Sequence, residues 1–81
     1  MKRHIAGDGL LKDALRAAMK GGFRGFCREN GLYEGDAADR INGIFLEKIG
    51  DVVLEPDGVG FRFVDDYRED AEEWLRTETN R

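Results

Sequence analysis

The sequence predicts an α+β fold, mainly α: three helices, a short β-hairpin and a C-terminal helix around one small core. Three observations lead there. Apolar residues recur at helical spacing in separate blocks, at Leu11, Leu15, Ala18 and Met19, then at Ala38, Ile41, Phe45 and Ile49. Glycine punctuates the blocks at Gly21-Gly22, Asn30-Gly31 and Gly50. Lastly, Pro56-Asp57-Gly58-Val59-Gly60 packs turn residues between two short runs suited to strands.

The first helix is expected to start after Asp8, whose carboxylate suits free N–H groups, and to stop at Gly21-Gly22. A shorter helix follows over about 23–30, with Phe23, Phe26 and Cys27 on one face and Asn30-Gly31 as its stop. Asp36 reads as the cap of a third helix, with Asp39 in its first turn where negative charge suits the helix dipole. Gly50 is a stop for this helix, yet Val52 and Val53 continue its period, so a helical extension over 50–64 competes with a hairpin. The hairpin reading pairs Val52–Glu55 with Phe61–Val64. Asp66 and Glu69 then form an acidic variant of the capping box for a last helix with Tyr67, Ala71, Trp74 and Leu75 on its apolar face. Arg68 with Glu72, and Glu72 with Arg76, sit at ion-pair spacing on that helix. Ile41, Phe45, Ile49, Phe63 and Trp74 are the expected core.

The 81 residues allow one domain at most, read as 1–81 with residues 1–7 and 77–81 frayed. Apolar residues make up 41% and charged ones 37%, a polar balance whose clustering still supports a core. A single cysteine excludes an internal disulfide. The basic start, Met1-Lys2-Arg3-His4, is followed by Gly7, Asp8 and Gly9 rather than an apolar run. No stretch approaches the ~20 apolar residues that span a bilayer. A cytoplasmic location with no membrane partner is expected.

The net charge of −4 hides a division. Residues 1–31 hold seven Lys/Arg against three acids, a net +4, whereas residues 32–81 hold six against fourteen, a net −8. Lys12, Arg16 and Lys20 should line one face of the first helix, opposite Asp65, Glu69, Glu72 and Glu73 of the same molecule or a neighbour. With Arg24 and Arg28 they form the candidate partner-binding set.

Catalytic chemistry finds little to work with. Serine is absent, Cys27 has only His4 as a histidine to activate it, and no phosphate-binding glycine loop follows a strand. One Cys and one His cannot close a zinc site. No catalytic residue and no resident cofactor is assigned. Glu55 and Asp57, beside the Gly58 turn, do place carboxylates together for Ca²⁺ or Mg²⁺, although not at EF-hand spacing. Helices two and three also follow in helix-turn-helix order with the hairpin as a wing, which gives a nucleic-acid reading. Against it stand Asp36 and Asp39 at the start of the would-be recognition helix, and a turn of five residues, Gly31 to Gly35. Nucleic acid is therefore not the expected partner.

One stretch resembles a known family. The run Phe26…Asn30-Gly31-Leu32…Asp36-Ala37-Ala38…Ile41-Asn42…Phe45…Ile49-Gly50-Asp51-Val52-Val53-Leu54-Glu55…Asp57-Gly58 is similar to the C-terminal domain found beside TerB-type tellurite-resistance domains. The similarity covers residues 23–76, and the chain lacks the companion TerB domain. It implies an accessory domain of larger stress-response proteins, proposed to bind metal through acidic residues. By position those are Asn42, Glu55 and Asp57. Together these features predict a non-catalytic interaction or accessory module that docks a protein partner or a second copy. The alternatives are an acidic metal-ion-binding domain and a small winged-helix-like nucleic-acid-binding domain.

Overall fold

In the computed structural model, the described residues are 2–79 for the backbone and 9–76 for the side chains. Among them are four α-helices and a two-stranded antiparallel sheet: α1 (Lys2–Met19), α2 (Phe23–Glu29), α3 (Glu34–Ile49), β1 (Leu54–Pro56), β2 (Phe61–Phe63) and α4 (Arg68–Thr79). A 3₁₀ turn at Asp65–Tyr67 leads into α4. The predicted α+β, mainly α, fold is therefore the one observed. No helix among the described residues is long and apolar enough to cross a membrane.

Helix starts differ from expectation more than helix stops. α1 begins at Lys2, so Asp8 lies inside it rather than at its cap. The side chain of Asp8 lies outside the described residues, as do the side chains of the termini expected to fray and, in full, residues 1, 80 and 81. α3 begins at Glu34, with Tyr33 in extended conformation at the cap position and no side-chain cap. The cause is local. Leu32 N–H closes back on Cys27 C=O at 2.8 Å, which turns the chain early, and Ala37 N–H then bonds Tyr33 C=O at 2.9 Å. Asp36 is left in the first turn, where it accepts from Arg40 Nε at 3.0 Å. The connection between α2 and α3 thus shortens to Asn30–Tyr33. At α4 the expected capping box gives way to the 3₁₀ turn, which follows an extended Val64 and has no side-chain cap. Arg68 pairs with Asp65 at 2.8 Å instead of with Glu72.

Gly50 ends α3 in the left-handed region, at φ 75°, and its N–H caps the carbonyls of Leu46 and Phe45. That stop settles the helix-or-hairpin question over 50–64. β1 and β2 pair with Leu54 opposite Phe63, Glu55 opposite Arg62 and Pro56 opposite Phe61. Val64 N–H to Val53 C=O closes one end at 2.8 Å, and Asp57 N–H to Gly60 C=O closes the other at 3.0 Å.

The core gathers one stripe from each helix and one face of the hairpin. Leu15, Cys27, Ile41, Phe45, Val53 and Leu54 are the largest fully buried side chains. Trp74 of α4 meets Phe45 edge-to-face, with centroids 5.4 Å apart and planes at 78°. Of the predicted core, Ile41, Phe45, Phe63 and Trp74 are buried, while Ile49 is half-buried at its margin.

Candidate functional site

Each residue assigned to metal binding has a structural task. Asn42 projects from α3 onto the outer edge of β1. Its Oδ1 accepts from Val53 and Leu54 N–H, both at 3.0 Å, while its Nδ2 donates to Leu54 C=O at 2.9 Å. The amide thus stands in for a third strand, pairing an edge that would otherwise be bare. Glu55 forms an ion pair across the hairpin with Arg62. Asp57 folds over its own turn, where Oδ1 accepts from Val59 N–H at 3.1 Å and Gly60 N–H at 2.9 Å. Among the described residues no three His, Cys, Asp or Glu side chains come together as a metal-holding group.

The basic set is dispersed. Lys12 is 8% exposed rather than on an open face. Its ammonium lies 3.7 Å from the centroid of the Trp74 ring and donates to Trp74 C=O at 3.1 Å. A four-carbon stem laid along apolar surface lets lysine do this, and the ring face and carbonyl replace water around its charge. α1 does face α4, and Arg16 lines a shallow groove there with Glu72, Leu75 and Arg76. Arg16 is nonetheless turned to Asp13 at 2.9 Å on its own helix. Lys20 lies just past the end of α1, exposed, and Arg24 and Arg28 follow one turn apart on the exposed side of α2.

Arg24 is where the fold builds something that charge counting did not find. Its Nε lies 3.4 Å from the Glu34 carboxylate, and its Nη1 donates to Val59 C=O at 3.2 Å. The start of α2, the start of α3 and the hairpin loop are thereby tied together. Gly60 belongs to the same junction: a Cβ there would lie 2.9 Å from Glu34 Oε1, so the carboxylate packs against bare backbone. Phe23 and Phe61 support the junction from below in an edge-to-face contact at 6.2 Å. Next to its members in the chain are two large apolar side chains in water, Tyr33 beside Glu34 at 84% exposed and Val59 beside Gly60 at 73%. The only hint in the sequence was an aromatic and a β-branched residue inside glycine-rich turns.

A second feature lies at the other end of α3. There Phe45, Ile49 and Trp74 floor a groove of about 300 Å³ between α3 and α4, with Lys48, Asp70 and Glu73 on its rim. The groove has the size of a small side-chain pocket.

Cys27, Asp51 and Tyr67 depart from ordinary acid–base behaviour. Burial, assisted by the nearby Glu34 charge, pushes the Cys27 thiol up. The hydrogen bond from Tyr67 Oη, and then one from Val52 N–H, holds the Asp51 carboxyl down. The same Asp51 bond raises the Tyr67 phenol. None of the three lines the α3–α4 groove or the Arg16 groove.

No family model matches the chain, and no curated protein or solved structure matches it.

Proposed function

We propose that the domain is a non-catalytic protein-interaction or accessory module working in the cytoplasm. The observation that carries this reading is the exposure of two large apolar side chains, Tyr33 and Val59, in the turns next to the Arg24–Glu34 junction. Val59 is held at both ends of its peptide, by Asp57 at its N–H and by Arg24 at its C=O. Backbone tied down in this way has less freedom left for binding to remove. Tyrosine and arginine are also the side chains on which protein interfaces most often concentrate their energy. A role as an accessory domain in a larger stress-response protein, as the TerB-associated resemblance implies, accords with this reading.

The test is photocrosslinking from the surface itself. A benzophenone side chain at position 33 or 59 is expected to capture a protein in cells, whereas one at position 39 on α3 captures none. Equal labelling from all three positions, or none from any, would remove the interaction reading.

A nucleic-acid reading keeps one observation in its favour. The α2–α3 connection of four residues is shorter than the sequence suggested and falls near the usual length for a helix-turn-helix. Its electrostatics remain adverse, because Glu34 and Asp36 occupy the first turn of α3. Mobility shift with duplex and single-stranded DNA at low salt is expected to be negative. A tight shift that fades with salt would put the nucleic-acid reading first.

A further inference from the structure

We draw no further inference here: the strongest candidate, the groove between α3 and α4 floored by Phe45, Ile49 and Trp74, is an apolar face that nothing in the structure shows to be covered by any particular occupant.

Discussion

Asn42 illustrates how much one side chain can settle. Its three hydrogen bonds serve backbone groups of Val53 and Leu54, both buried, so removing the amide strands groups that water reaches poorly. Each such group costs about 1–3 kcal/mol when left unpaired. Asn42→Leu is therefore expected to lower stability by about 3 kcal/mol in urea unfolding, while Asn42→Asp keeps the two accepted bonds and loses less. Equal losses from both variants would show that helix packing, not the amide, holds β1. The Asp51–Tyr67 bond makes a pH-dependent prediction. Asp51 is lowered from its ordinary 3.8, so its contribution is present above that value and lost as pH falls through the lower folded one. Tyr67 is raised from 10.0, so its contribution is full below 10.0 and lost as pH rises through the higher folded value. The gap in melting temperature between wild type and Tyr67→Phe should be flat around neutrality and shrink at both extremes. A gap that does not change with pH would mean that the phenol acts by packing alone.

Between elements, α3 meets α4 through the ring contact of Phe45 and Trp74. Phe45 is fully buried, and its replacement by alanine leaves a cavity beneath the indole. A loss of about 3–5 kcal/mol is expected, enough to unfold much of a domain this small. An unchanged melting temperature would show the core to be elsewhere. At the end of the same helix, Gly50→Ala forces a Cβ into the left-handed region at φ 75° and should cost about 1–2 kcal/mol. The open space around Gly50 means that this cost is conformational rather than steric. Stops of this kind were legible in the sequence, because a left-handed residue nearly requires glycine. Starts were not. Asp36 suits a cap by its chemistry, but the closure of Leu32 onto Cys27 had already turned the chain and put the cap position at Tyr33.

For the molecule as a whole, the charge division between residues 1–31 and 32–81 was plain in the sequence, but its use was not. Spacing alone placed Lys12 on a solvent face with Arg16 and Lys20. The fold sends it inward because Trp74 offers both a ring face and a carbonyl, a pairing between residues 62 apart that no local pattern encodes. The Tyr33–Val59 surface stayed hidden for the same reason, since it exists only where two separate turns meet around Arg24 and Glu34. Metal binding is tested at this scale by calorimetric titration with Ca²⁺, Mg²⁺ and Mn²⁺. Heats at the level of dilution are expected, because Glu55 faces Arg62 and Asp57 serves its own turn. A saturable heat abolished by Glu55→Gln with Asp57→Asn would reverse that expectation.

Cys27 gives the molecule an internal clock. Its sulfur is sealed between α2 and the rest of the core, and its proton is held more firmly than that of a free thiol. A thiol reagent in solution meets the thiolate only during those moments when the packing comes apart. The rate at which a disulfide dye modifies native protein, divided by its rate with the unfolded chain, counts how often that happens. When opening and closing outpace the dye, that fraction gives the opening free energy without denaturant. The same seal governs oxidation. Peroxide should spare Cys27 in the folded chain and take it in chains that have lost their core, so that the oxidised fraction in a population records past unfolding.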